Sequence, residues 1–200
     1  MSNAAIAVLA LSLSVPALPA MAQDLETGIR LYKDREFEQA EKSLRMTAEK
    51  EPGDVEANFY LALTLVELKK YEEAEPFFTQ AMESKHEARV GLAHSYVMRE
   101  KFDEAKRELD VAAKELPKNA EIPRLRGMIL LKANNYDQAA KELTRAVDLD
   151  PKDAYAHYYL GMAQSRLRRP DLMVKHFQFF LKLAPDAPEA DKVRALLRAL

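Results

Sequence analysis

The chain has 200 residues, of which 48% are hydrophobic and 31% are charged, with five glycines and no cysteine. This hydrophobic content excludes an intrinsically disordered chain, and the lack of cysteine excludes disulfides, thiolate metal sites and a cysteine nucleophile. The 30 basic and 32 acidic side chains leave a formal net charge of −2, which argues against nucleic-acid binding because such surfaces carry a basic excess.

Residues 1–22 carry no charged side chain and have the layout of a secretory signal peptide. An apolar run over residues 6–13 is followed by two prolines and then by the small-x-small sequence Ala20-Met21-Ala22. This order predicts cleavage after Ala22 and an exported, periplasmic protein, with a cytoplasmic location as the alternative. No basic residue precedes the apolar run, so the other interpretation is an N-terminal helix that packs on the domain behind it.

Four segments further along the chain share an aromatic-acidic-polar-alanine sequence. They are Phe37-Glu38-Gln39-Ala40, Tyr71-Glu72-Glu73-Ala74, Phe102-Asp103-Glu104-Ala105 and Tyr136-Asp137-Gln138-Ala139. The first and last intervals between the alanines are equal and the middle one is slightly shorter. A small residue lies twelve positions before each alanine, and a large apolar residue lies four positions after it. Each unit is therefore predicted to be two helices that cross closely at the small residue, with the aromatic residue at the turn between them.

A helix-turn-helix unit of about 34 residues with this pattern resembles the tetratricopeptide repeat. The resemblance implies an all-α fold, a right-handed α-solenoid of such units. The predicted units cover residues 23–54, 55–85, 86–119, 120–153 and 154–187, followed by a capping helix over residues 188–200. The second unit is three residues short, which predicts a tighter link to the third. The fifth is divergent, because Pro170 replaces the aromatic residue and Met173 the alanine.

In this family ligands usually lie in the concave groove that the first helices of the units line. The resemblance therefore implies a groove for a protein or peptide. The predicted groove residues are Ile29, Phe59, Leu63, His94, Met98, Arg124, Met128, Tyr155, Tyr158 and Met162. The floor is mostly apolar and Glu56, Glu87 and Glu121 follow one edge, which favours an apolar or basic segment as the ligand. The alternative is that many of these side chains pack between neighbouring helices.

Some members of the family bind acidic C-termini through a clamp of Lys, Asn and Arg side chains. The corresponding positions hold Leu25, Ile29, Tyr60, Glu87 and Gly91, so the resemblance does not extend to that role. The basic run at residues 166–169 is interpreted as a solvated helix end, which suits the helix dipole.

The sequence contains no phosphate-binding loop, no G-x-S-x-G motif and no zinc motif, and no two of its four histidines are four residues apart. We therefore predict no catalytic, cofactor or metal site. The predicted function is a non-enzymatic scaffold for a protein of the cell envelope. A self-associating structural protein is the alternative, and a helical-repeat RNA binder or an enzyme subunit is a weaker one.

Overall fold

The computed structural model describes residues 20–199, and residues 1–19 of the predicted signal peptide lie outside that range. The described residues form α-helices and no strand, which confirms the all-α prediction. The helices are α1 (Ala20–Lys33), α2 (Phe37–Lys50), α3 (Val55–Glu67), α4 (Tyr71–Ala81), α5 (His86–Met98), α6 (Phe102–Glu115), α7 (Glu121–Lys132), α8 (Tyr136–Leu149), α9 (Ala154–Arg166), α10 (Pro170–Leu183) and α11 (Ala190–Arg198). None of these helices is long and apolar enough to span a bilayer.

The helices stack as a solenoid in which each contacts only its near neighbours along the chain. The two helices of each unit pack together, and every second helix packs on the first helix of the next unit. The backbones of successive first helices (α1, α3, α5, α7 and α9) also approach one another closely, whereas those of successive second helices do not and are bridged only by long side chains, such as Arg45 and Glu73. The first helices therefore lie on the tighter, concave side of the stack, as the predicted solenoid requires.

The two helices of a unit cross closely at the small residues that the repeat pattern marks. A Cβ atom on Gly127 would lie 2.4 Å from Leu143 Cγ on the facing helix. Gly28 meets Leu44 in the same way, and Gly161 meets Phe177. Since real Cβ atoms essentially never approach another heavy atom this closely, the side chain of the second helix takes the space that a larger residue would need.

Units 2 and 3 are joined by a different contact, between Phe78 of α4 and Gly91 of α5. The Phe78 ring is fully buried, and a Cβ atom on Gly91 would lie 2.4 Å from two of its ring carbons. The positions equivalent to Gly91 in the other units hold larger residues, which are Glu26, Tyr60, Leu125 and Tyr159. Gly91 thus provides the space that receives the ring across the boundary between the two units.

The missing residues of unit 2 come from its second helix. Helix α4 has 11 residues, whereas α2, α6, α8 and α10 each have 14. The connection over residues 82–85 is as long as the connection over residues 51–54. The prediction of a tighter link is therefore wrong, because the deletion shortens a helix and leaves the connection at four residues.

Each first helix ends in the same turn, with one residue in the left-handed region. These residues have φ between 57° and 64° and are Arg35, Lys69, Glu100, Asn134 and Arg168. In each turn the next N–H donates to the carbonyl five residues earlier, as from Lys70 to Leu65 at 2.8 Å. This is the Schellman motif, which usually carries glycine. None of the five is a glycine and only one is an asparagine, so the repeat pattern placed the turn but these residues gave little signal of its left-handed conformation.

Replacing Lys69 by glycine is expected to stabilise the protein by about 1 kcal/mol relative to Lys69→Ala, because alanine keeps the left-handed strain and glycine does not. Lys141 provides a matched control, since it is exposed in the interior of α8. There the order should reverse, with glycine about 1 kcal/mol less stable than alanine. Urea denaturation of the four variants measures both differences, and a preference for alanine at both sites would contradict the prediction.

The last helix covers the end of the stack. Helix α11 begins at Ala190, inside the segment predicted to form the cap. Its buried Ala190 and Val193 pack in one cluster with Met173, Phe177 and Phe180 of α10. The fifth unit therefore buries Met173 and Phe180 together with α11, which explains why it can carry these large residues where the earlier units carry alanine or threonine.

Candidate protein-binding groove

Two neighbouring cavities open on the concave side of units 3 to 5. The first, called the central cavity, has a volume of about 250 Å³ and lies among α5, α6, α7 and α9. Its apolar lining includes Val97, Met98, Phe102, Met128, Leu131 and Met162. The second, called the cap cavity, has a volume of about 770 Å³ and is lined from α8 to α11 by Tyr136, Tyr158, Met162, Phe177, Val193 and Leu196. Met162 lines both cavities, so they form one continuous apolar surface.

Four of the predicted groove residues line this surface, although one of them, Met128, is only 8% exposed. Met98 is 42% exposed at the central cavity, Tyr158 lines the cap cavity, and Met162 lies between the two. Methionine adapts its shape to different partners because its side chain is unbranched and flexible. These three side chains are therefore placed where a ligand could contact them.

Other predicted groove residues serve the packing of the stack. Phe59 and Met128 are each only 8% exposed, and the Phe59 ring lies against Phe78 at 6.4 Å between centroids. Ile29 and Leu63 are half-buried against the core of units 1 and 2. For Phe59 and Met128 the packing alternative is therefore the observed one, because both side chains belong to buried core clusters.

Arg124 and Tyr155 hold polar contacts inside the stack. The Tyr155 hydroxyl donates to Glu189 at 3.1 Å, just before α11. The Arg124 guanidinium lies between two carboxylates, with Nη2 2.8 Å from Glu121 Oε1 and Nε 2.9 Å from Asp153 Oδ2. Both predicted groove residues therefore connect elements of the stack, and the charge of Arg124 is neutralised within it.

Glu121 is the centre of this ion-pair group, which also contains His94. His94 Nδ1 lies 3.4 Å from Glu121 Oε1. Burial opposes ionisation of Glu121, but the hydrogen bond from His94 and the charge of Arg124 outweigh it and lower the pKa of Glu121 to about 2. Glu121 is therefore ionised and already paired, so it presents less negative charge to a ligand than the predicted acidic edge requires.

The rest of that acidic edge is only partly available. Glu56 pairs with Lys85 at the end of the same unit, just before α5. Glu87 is exposed and has no ion pair among residues 20–199. Since two of the three acidic side chains are paired, attraction of a basic segment to this edge depends mainly on Glu87.

A pair of stacked histidines on α9 and α10 has no counterpart in the sequence predictions. His157 Nδ1 lies 3.1 Å from His176 Nδ1, and His157 Nε2 lies 3.2 Å from the Pro151 carbonyl. A carbonyl only accepts, so Nε2 of His157 carries the proton and the His176 Nδ1–H donates to His157 Nδ1. The described side chains contain no group of three or more that could hold a metal ion.

The spacing of this pair was the signal that could have found it. The two histidines are 19 residues apart, and so are Arg89 and Glu108, which form an ion pair at 2.7 Å. In both units this spacing joins the fourth position of the first helix to the facing position of the second. A search for pairs at this separation would have brought the histidines together.

We expect stability to fall as the pH is lowered from about 6.5 to about 4. Burial, His157 and Lys175 lower the pKa of His176 to about 4. The folded state therefore favours the neutral ring, and its stabilising effect is complete above pH 6.5 and is lost as the pH falls through 4. The free energy of unfolding should fall by about 2 kcal/mol. This is less than the full pKa shift implies, because the ring is half exposed and solvent screens its charge. Urea denaturation across this range should show a weaker decline for His176→Gln than for the control His86→Gln.

Comparison with known proteins identifies the repeat. Two profiles, each described as a tetratricopeptide repeat, match residues 25–85 and 124–188 and residues 71–129. Cellulose synthase 2 operon protein C of Komagataeibacter xylinus is 39% identical over 77 residues, which are 38% of this chain. The matched part is only 6% of the length of that relative.

Several solved structures have the same fold at low sequence identity. A thermophilic TPR protein of Thermus thermophilus has a TM-score of 0.73 and 20% identity, over 90% of this chain and 100% of that chain. MamA of Desulfovibrio magneticus RS-1 has a TM-score of 0.63 and 19% identity, over 84% of this chain and 97% of that chain. YrrB is described as a TPR protein with an unusual peptide-binding site. It has a TM-score of 0.57 and 18% identity, over 88% of this chain and 91% of that chain. With a repeat profile matching more than half of its length, the chain belongs to the tetratricopeptide-repeat family.

Proposed function

We propose that this protein is a non-enzymatic scaffold that binds a segment of another protein along its concave groove. The observation that carries the proposal is the continuous apolar surface of the central and cap cavities. Met98 is 42% exposed within this surface, and a contiguous exposed apolar surface is typical of a site that another molecule covers. The structure of YrrB, a relative in fold, is described as having a peptide-binding site, which agrees with this use of the groove.

We further propose that the protein acts in the cell envelope. Support comes from the signal-peptide layout of residues 1–22 and from the local similarity to a protein of a cellulose synthase operon. N-terminal sequencing of the protein from its natural host tests the proposal. The expected first residue is Gln23, and a chain that keeps residues 1–22 would contradict export by cleavage.

Met98→Asp is expected to weaken capture of the partner about tenfold or more, because a charge in the central cavity must be desolvated when an apolar ligand binds. Met46→Asp is the matched control, since Met46 is 49% exposed on α2, outside the groove. Pull-down from an envelope extract with tagged protein measures recovery of each partner band. Equal recovery by wild type and by folded Met98→Asp protein would contradict the groove as the binding site.

An alternative function is self-association through the outer side of α10. Leu172, Phe179 and Leu183 are 40%, 40% and 37% exposed and lie on one face of this helix. Light scattering over a range of concentrations would detect a dimer that Phe179→Glu removes and Val111→Glu, on α6, does not. A monomer at every concentration would contradict this alternative.

A further inference from the structure

Three cationic side chains surround the cap cavity, and none of them has an acidic partner among the described residues. They are Arg166 at the end of α9, Arg168 in the turn that follows, and Lys192 on α11. No carboxylate of residues 20–199 forms an ion pair with any of the three, although many other cations in this range are paired. The Arg166 guanidinium lies over the Tyr136 ring at 5.9 Å from its centroid.

These cations lie beside an apolar floor. Tyr158, Phe177 and Leu196 contribute to the lining of the cavity, and Leu196 is 41% exposed. A ligand that matches this surface needs an anionic group next to hydrophobic groups. The Arg168 backbone is fixed in the left-handed turn by its N–H bond to Ser165 at 3.1 Å, so part of the cost of ordering the site is met before binding.

The shape of the surface favours a polypeptide over a small anion. The cap cavity continues through Met162 into the central cavity, where the lining is mainly apolar and Glu100 pairs with Lys132 at 2.7 Å. A ligand that fills both cavities must therefore be extended, with its negative charge at one end. A segment of a protein chain has this form.

We propose that the cap cavity binds an acidic side chain, flanked by hydrophobic side chains, in a partner segment that continues into the central cavity. This inference rests on the proposed function and gives the bound segment a direction. It also changes the partner predicted from the sequence: the end of the groove nearest α11 selects a negative residue rather than a basic one.

Selection of a random peptide library on the immobilised full chain tests this inference, followed by fluorescence anisotropy with a labelled peptide that the selection enriches. We expect the enriched peptides to carry Asp or Glu next to Leu or Phe. The charge-reversed variant Arg166→Glu with Lys192→Glu should bind such a peptide at least about tenfold more weakly. Arg107→Glu with Lys114→Glu is the matched control, because both cations are exposed on α6, and it should change binding less than about twofold.

A second readout separates charge recognition from a general effect on folding. Changing the acidic residue of the peptide to its amide should weaken binding to wild type about tenfold, and should not weaken binding to the charge-reversed variant. Thermal unfolding confirms that each variant is folded.

The possible contrary results are distinct. Enriched peptides without acidic residues, or peptides that bind equally to the charge-reversed variant, would overturn this inference and leave the proposed function standing. Binding of phosphatidylglycerol vesicles that the charge reversal removes, with no acidic peptide enriched, would assign the site to lipid and overturn it as well. A library that yields no binding peptide would contradict both.

Discussion

Gly91→Ala is expected to destabilise the protein by about 2 kcal/mol, although glycine to alanine normally stabilises a helix by about 1 kcal/mol. The reason is the buried Phe78 ring, two of whose carbons would lie 2.4 Å from the new methyl group. Phe78 is fully buried, so its ring cannot move aside without disturbing the contact between units 2 and 3. Overpacking costs about 1–3 kcal/mol, and so close an approach to a buried ring places the cost near the upper end. Subtracting the gain of about 1 kcal/mol in helix propensity leaves a net loss of about 2 kcal/mol.

Urea denaturation measures this effect, with Gly53→Ala as the control. Gly53 has open space around it and a negative φ, so alanine there should stabilise by about 0.5 kcal/mol. Phe78→Leu should be costly alone, about 1 kcal/mol, but should relieve the strain of Gly91→Ala by at least a similar amount in the double variant. A stable Gly91→Ala protein, or strictly additive costs, would show that the ring does not need this space.

Asp153→Ala is expected to destabilise the protein by about 3 kcal/mol. Asp153 has two roles, because one carboxylate oxygen accepts from the Ala156 N–H at 3.0 Å and the other lies 2.9 Å from Arg124 Nε. Loss of an N-cap costs about 1 kcal/mol. The loss of a partner for Arg124, whose side chain is only 15% exposed, adds about 2 kcal/mol, since Glu121 still offsets part of the buried charge.

Asp54 separates the two roles, because it occupies the equivalent position at the end of unit 1. It caps α3 by accepting from the Ala57 N–H at 2.9 Å, and no arginine among the described residues pairs with it. Asp54→Ala should therefore cost only about 1 kcal/mol. In an Arg124→Met background the cost of Asp153→Ala should fall to the same value. Equal costs at both aspartates in the wild-type background would exclude the ion pair as a stabilising contact.

The fold could be predicted from the sequence because each unit is specified by residues close to one another in the chain. Gly127 and Leu143 stand on the two helices of a single unit and meet in the structure as the repeat pattern requires. The same short separation recurs in units 1 and 5 through Gly28 and Gly161. One pattern therefore specifies the helix pair, and repetition of the pattern specifies the stack.

The site was predicted less completely, because exposure in the groove depends on side chains from neighbouring units. Met98 and Met128 both stand on first helices, yet one is 42% exposed and the other 8%. The cations of the cap cavity were not assigned to one site, because the basic run at residues 166–169 was interpreted as a solvated helix end and Lys192 was not connected with it. Arg168 lies in a turn and Lys192 lies beyond α10, on the last helix, so no periodic pattern relates them, and only the packing of α11 brings them to one cavity.

The restriction of contacts to near neighbours has a consequence for how the chain folds. No described helix needs a contact with a distant part of the chain in order to pack. Helices α1 to α4 can therefore bury their shared core before α9 to α11 have been synthesised. Low separation between contacting residues favours fast folding, and growth from one end lets each new helix pair dock on a surface that is already formed. The surface beneath α11 is covered after the rest of the described stack. Until α11 has docked, Phe177 and Phe180 pack on α9 but lack the cover of Ala190 and Val193, and the cap cavity lacks its wall from α11.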